Sequence, residues 1–151
     1  MRRLKRALFL AAGVALTIPA AGTAQSPPPR IGGAALGDAP SAVIASMGRP
    51  DRRQEYFGYL VWDYLDRGVT VMIDRDQRRV RVVVLSKRDA GAVEGVRVGD
   101  RLNDLTAAWG AATRVRQDGR FRDFARHGWF VTVEVQNSSI LEITVQLTSL
   151  D

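Results

Sequence analysis

Leu36-Gly37-Asp38-Ala39-Pro40-Ser41-Ala42-Val43-Ile44-Ala45-Ser46-Met47-Gly48 is echoed 62 residues further on by Val98-Gly99-Asp100-Arg101-Leu102-Asn103-Asp104-Leu105-Thr106-Ala107-Ala108-Trp109-Gly110. Each stretch opens on Gly-Asp, carries an apolar middle and stops at Gly. In the first, Asp38 stands where a carboxylate can accept the free amides of a helical first turn, and Pro40 where no intrahelical donor is needed. Val43, Ile44 and Met47 fall on one helical face, and Gly48 with Pro50 closes the element. A helix over 39–47 is therefore predicted. In the second stretch Asp100 takes the capping place, Leu102, Leu105 and Trp109 share a face, and Gly110 is the stop, which predicts a helix over 101–109.

Strand-prone segments follow each helix. After the first they are 52–57, 59–65, the alternating 69–73 and the β-branched 80–85, separated by Gly58, Asp66-Arg67-Gly68 and the polar 74–79. After the second they are 113–117, 120–125, 129–135 and 140–147, with Asp118-Gly119 as a hairpin turn. Arg126-His127-Gly128 stands 60 residues after Asp66-Arg67-Gly68. Neighbouring strands joined by short turns imply antiparallel meanders. The expected fold is α+β: two tandem repeats, over 31–88 and 89–151, each a short helix packed on a three- to four-stranded antiparallel meander sheet.

Residues 1–24 read as a cleaved secretory signal peptide. Arg2, Arg3, Lys5 and Arg6 form a basic start, 7–18 is apolar and uncharged, and Ala20, Ala21, Gly22 and Ala24 are small. The apolar run is short for a bilayer span. Residues 25–30, with Ser26-Pro27-Pro28-Pro29, read as a semi-rigid linker. The expected location is periplasmic or secreted. The whole chain carries +6, but four of its cations lie in the leader, which leaves 18 cations against 16 carboxylates. No nucleic-acid partner is expected from so even a balance. The chain contains no cysteine, so disulfides, thiolate metal sites, Cys nucleophiles and a lipid anchor on cysteine are all excluded.

The sequence contains no recognisable catalytic set. His127, the one histidine, lies in a turn beside Gly128 and reads as solvated or structural. No serine sits in a glycine-flanked strand-to-helix turn. Asp74-Arg75-Asp76 lacks the Gly and terminal Glu of a calcium loop, and Gly32-Gly33 lacks the lysine of a phosphate loop. No catalytic residue, metal or cofactor is assigned, and a non-enzyme is expected.

A difference between the two units points to binding instead. In 140–147, Leu141, Ile143 and Val145 alternate with Glu142, Thr144 and Gln146, which describes a strand with one wet face. Sixty residues earlier the wet positions are Val82, Val84 and Ser86, Val80 stands where Ile140 stands, and Met72 corresponds to Thr132. The first unit thus has apolar residues on both faces of its last two strands. One face packs on a helix; the other requires the second unit, another copy of the chain or a partner. With the aromatics of the adjoining strand, the candidate binding surface is Tyr59, Trp62, Tyr64, Met72, Val80, Val82 and Val84.

Gly37-Asp38, Gly48-Arg49-Pro50 and Trp62-Asp63-Tyr64 with Gly68 are matched in the second unit by Gly95-Val96-Arg97-Val98-Gly99-Asp100, Gly110, Asp123-Phe124 and Gly128. This pattern, over nearly all of 31–147, resembles small exported bacterial domains of the outer-membrane assembly lipoprotein type (SmpA/OmlA) and the β-lactamase inhibitory protein type. The resemblance implies a helix layer on an antiparallel sheet and protein binding without catalysis. The lipoproteins' N-terminal cysteine and the inhibitors' cysteines are absent here, and no inhibitor contact residue is matched, so neither lipid tethering nor a target carries over. The expected function is a non-catalytic exported (periplasmic) protein-binding or envelope-assembly module, with a protein partner in the cell envelope or self-association. The alternatives are a proteinaceous inhibitor of an exported enzyme, using loop residues such as Asp66, Arg67, Arg126 and His127, and a small hydrolase using Asp or Glu with Arg.

Overall fold

The computed structural model describes residues 29–148. The signal peptide and most of the linker read from the sequence lie outside the described residues. A small hairpin, β1 (Arg30–Ile31) and β2 (Ala34–Ala35), precedes α1 (Pro40–Met47) and the strands β3 (Arg52–Tyr56), β4 (Tyr59–Tyr64), β5 (Val69–Asp74) and β6 (Arg79–Leu85). A single 3-10 turn at Arg88–Ala90 leads to α2 (Leu102–Trp109) and to β7 (Arg114–Arg116), β8 (Phe121–Ala125), β9 (Trp129–Gln136) and β10 (Ser139–Leu147).

The class is α+β, but the expectation of two tandem helix-on-sheet repeats is overturned. β3 to β10 form one eight-stranded sheet in the order β3-β4-β5-β6-β10-β9-β8-β7. β6 and β10 pair antiparallel, with Val83 opposite Val145 and Leu85 opposite Ile143. Local turn chemistry specifies each hairpin, but nothing local in a sequence says which strand edge meets which. Here two β-branched strands, each an aggregation-prone edge if left open, cover one another.

Among the described residues both helices and the segments that lead into them pack on one face of this sheet. That face carries Trp62, Tyr64, Val71, Ile73, Val83 and Leu85 from one half and Val131, Val133, Ile143 and Val145 from the other. They join Val43 and Met47 of α1, Leu105 of α2 and the connecting residues Ile31, Leu36, Val93 and Val96 in a single buried cluster.

The Gly-Asp pairs do something other than cap. Ala39 and Arg101 are the N-cap residues of the two helices. The carboxylates of Asp38 and Asp100 turn back instead, accepting the N–H of Ala35 at 3.0 Å and of Arg97 at 2.9 Å. Gly37 N–H donates to the Val80 carbonyl at 2.8 Å, and Val80 N–H returns to the Asp38 carbonyl at 2.9 Å. In the second half Gly99 donates to Ile140 at 2.8 Å and Ile140 to Asp100 at 2.9 Å. Each motif clamps the approach to its helix onto the start of its half's last strand. The glycines are held at φ +85° and +88°, a region that penalises any side chain.

A bulge follows each clamp. The β5–β6 register slips between Met72 and Ile73, which leaves Arg81 unpaired between Val80 and Val82. The β9–β10 register slips between Ile140 and Glu142, which leaves Leu141 unpaired. An extra residue breaks the two-residue alternation of a strand. Val80 is therefore fully buried in the core while Val82 turns to the opposite face. Ile140 is buried, and Leu141, expected beside Ile143 and Val145, is 46% exposed.

One continuous sheet should unfold in one cooperative step. Thermal unfolding of variants retaining only Trp62 or only Trp129 should give the same midpoint. Val145→Ala at the seam should lower the stability read by both probes by about 2 kcal/mol; separate midpoints would mean that the halves unfold independently.

Candidate functional site

The candidate site is the second face of the sheet. Directly opposed residues of an antiparallel pair share a face, so the register identifies its occupants. Val61 lies opposite Met72, and Met72 opposite Val82. Thr70 lies opposite Val84, Val84 opposite Thr144, and Thr144 opposite Thr132. Val61 and Val82 are only 6% and 7% exposed, yet neither belongs to the helix-covered core cluster. Met72 and Val84 beside them are half-buried. These four side chains form an apolar patch in the first half of the sheet. Across the seam the face turns polar, with Thr144, Gln146 and Thr132, although Phe130 stands opposite Gln146.

Two matched ionic clusters lie on this face, one beside the patch at Asp63 and one three strands away at Asp123. Asp63, 5% exposed, accepts Arg52 Nε at 2.8 Å and the Thr70 hydroxyl at 2.7 Å. Asp123 accepts Arg116 Nε and Nη2, both at 2.9 Å, and the Thr132 hydroxyl at 2.8 Å. The Arg116 hydrogen bond, with help from Thr132 and against the effect of burial, holds the Asp123 carboxyl below its ordinary range. Both oxygens of the buried Asp63 and of the partly buried Asp123 accept hydrogen bonds, so these carboxylates serve the sheet.

Glu142 differs. It lies opposite Glu134 on the same face. Burial pushes its carboxyl above the ordinary range and the like charge of Glu134 adds to this, while a 3.3 Å hydrogen bond from the Thr144 hydroxyl opposes it. Glu134 is itself bridged by Arg120 at 2.6 Å. Among the described residues no group of three or more acidic or histidine side chains is placed to hold a metal ion. No helix among them is long and apolar enough to cross a membrane.

No protein-family model and no curated protein sequence matches the chain. Solved structures match it in fold. An extracellular protein containing a SCP domain from Bacillus anthracis str. Ames superposes with a TM-score of 0.50 at 10% identity, over 97% of this chain and 49% of that one. A cysteine-rich secretory protein from Staphylococcus aureus subsp. aureus Mu50 gives 0.58 at 11% identity, over 75% and 43%. A DUF4309 family protein from Bacillus subtilis subsp. subtilis str. 168 gives 0.51 at 10% identity, over 73% and 78%. The chain spans about half the length of the first or less of the second. At these identities the similarity is one of fold alone.

Of the seven residues singled out from the sequence, Tyr59, Met72, Val82 and Val84 share the open face. Trp62, Tyr64 and Val80 do not; they lie on the helix-covered face at 7%, 3% and 0% exposure. Strand alternation sets Trp62 and Tyr64 against Tyr59, and the Arg81 bulge separates Val80 from Val82. The Tyr64 hydroxyl donates to the Gly48 carbonyl at 3.0 Å, and burial raises its pKa. Val61 was legible from its place between Leu60 and Trp62 and was missed. The ionic clusters left no such signal, because they join strands through space. The second half meets β6 edge to edge, so it does not cover the open face. Of the loop residues, Arg126 is bound to Glu94 at 2.7 Å and stacked 5.3 Å from Trp109, whereas Asp66, Arg67 and His127 are exposed.

The carboxyl shifts have opposite signs in stability. A raised folded pKa makes ionised Glu142 destabilising, so its cost grows as pH rises from the ordinary glutamate range through the folded value. Glu142→Gln should therefore raise the unfolding midpoint at neutral pH and lose that advantage in acid. Asp123 stabilises above the ordinary aspartate range and loses this as pH falls through its lowered folded value. Asp123→Asn should be the less stable protein at neutral pH and converge with the parent in acid. Melting curves from about pH 3 to pH 8 check both.

Proposed function

We propose that the protein is a non-catalytic, exported protein-binding module of the cell envelope that receives its partner on the open sheet face. The observation that carries this reading is the row of partly exposed Met72 and Val84 seated on the nearly buried Val61 and Val82, on a face that neither the helices nor the second half of the chain covers among the described residues. An apolar patch flanked by the satisfied Asp63–Arg52 pair on one side and by Thr144 and Thr132 on the other matches the anatomy of protein interfaces. A floor of eight strands, roughly 34 Å wide at the usual strand spacing, suits a folded protein surface better than a small ligand, which calls for a concave pocket. Export rests on the leader read in residues 1–24, and the periplasm is the compartment it favours. Two structural neighbours, one an extracellular and one a secretory protein, accord with export.

The test is capture of a partner from envelope extract, followed by its purification and calorimetric titration. Met72→Glu and Val82→Glu set an unpaired carboxylate in the patch and should each weaken binding by about tenfold or more. Arg114→Ala at the far rim should change it little. Unchanged affinity in folded Met72→Glu and Val82→Glu proteins would sink the reading.

A further inference from the structure

The outer edge of β3 is the second feature without a partner. All five residues, Arg52-Arg53-Gln54-Glu55-Tyr56, are exposed. Among the described residues only β4 pairs with this strand. The turn that joins β3 to β4 consists of Phe57 at φ +44° and Gly58 at φ +82°, flanked by the pair Tyr56 and Tyr59. Two positive φ values define a two-residue hairpin turn whose flanking residues exchange hydrogen bonds. Bonded pairs alternate along an antiparallel ladder. The N–H and C=O groups of Tyr56, Gln54 and Arg52 accordingly face β4, and those of Arg53 and Glu55 face outward.

We propose that this edge is the seam of a homodimer in which two copies of β3 pair antiparallel about Gln54. Arg53 of each copy then lies opposite Glu55 of the other. The outward groups of both residues meet in register, closing four backbone hydrogen bonds. Arg53 and Glu55 share one face and Arg52, Gln54 and Tyr56 the other, so the register also sets Arg52 opposite Tyr56 of the second copy. Opposite charges across a ladder stabilise it and like charges oppose it. Shifting the axis to Arg53 or to Glu55 sets two guanidinium groups or two carboxylates against each other, so charge selects the Gln54 register. Arg53 stacks on Trp62 at 4.9 Å and has no ion-pair partner among the described residues, whereas Glu55 has an exposed 3.3 Å bridge to Arg75 of its own chain that the cross-copy pair would share or replace.

Two further observations favour a second copy as the occupant. The opposite edge of the sheet, β7, reads Arg114-Val115-Arg116, and self-pairing there would oppose arginine to arginine. Of the two edges of the eight-stranded sheet, β3 is the self-complementary one. Tyr56 and Phe57 at the tip are 60% and 84% exposed, with rings packed edge-on at 4.4 Å. A bulky side chain rarely occupies the left-handed region that Phe57 adopts. In the dimer these rings continue the ladder over Arg52 and Asp51 of the second copy. Five residues of edge bury less than a standard interface, so the association is reversible and concentration-dependent. It uses neither Met72 nor Val82 and stands or falls apart from the open-face reading.

Sedimentation equilibrium on the purified protein, with far-UV circular dichroism to verify folding, tests the seam. The parent should show a monomer–dimer equilibrium. Arg53→Glu and Glu55→Arg should each weaken it about tenfold or more, and the double reversal Arg53→Glu with Glu55→Arg should restore it. The chain has no cysteine, so Gln54→Cys reports directly: two axial residues about 4.5 Å apart should oxidise to a disulfide-linked dimer. Val115→Cys on the other edge should not. A protein that stays monomeric at every concentration, a dimer insensitive to both single reversals, or Val115→Cys linking as fast as Gln54→Cys would overturn the proposal.

Discussion

The antiparallel contact of β6 with β10 is the constraint on which the rest of the structure depends. It removes two edges at once and turns two four-stranded meanders into one eight-stranded sheet. Because the halves meet edge to edge and not face to face, both helices and the connecting segments fall on one side. The core is consequently shared: Val83 and Leu85 pack in the same cluster as Val145 and Ile143. The second side is then left to whatever its own side chains can do.

The backbone clamps from Gly37-Asp38 to Val80 and from Gly99-Asp100 to Ile140 give that seam its entry points. Each holds a strand where its pairing begins, and a bulge follows immediately. The bulges settle which side chains serve the core and which the open face. Without Arg81 as an extra residue, Val80 and Val82 would lie on the same side, and the open patch would compete with the core for the same valines. The matched clusters of Asp63 with Arg52 and Thr70, and of Asp123 with Arg116 and Thr132, keep the outer strands in register on the face that lacks a helix. A buried carboxylate stripped of such partners would be costly, which makes each cluster a register lock as much as a source of stability.

Much of the local structure was legible. Both helices lie within a residue of their expected limits, because Pro40, Gly48 and Gly110 are strong local punctuation. The strands between Tyr59 and Leu85 follow their β-branched runs and turns. The functions of Asp38 and Asp100 were misread, since a carboxylate before a helix can turn back to the preceding loop as readily as forward to the first turn. Of the candidate surface, Tyr59, Met72, Val82 and Val84 lie on the open face, the last three readable from the missing polar alternation, whereas Trp62, Tyr64 and Val80 belong to the core.

The sequence by itself determined where helices and strands begin and end, which hairpins form, and that β5 and β6 carry apolar residues on both sides. Those properties depend on residues near one another in the chain, through turn geometry, capping and periodicity. The tertiary structure alone decided that β6 meets β10, that Arg81 and Leu141 are the inserted residues, and that among the described residues one sheet face stays open. Each of these is a pairing between distant segments, and a one-residue change of register reverses every side chain it involves.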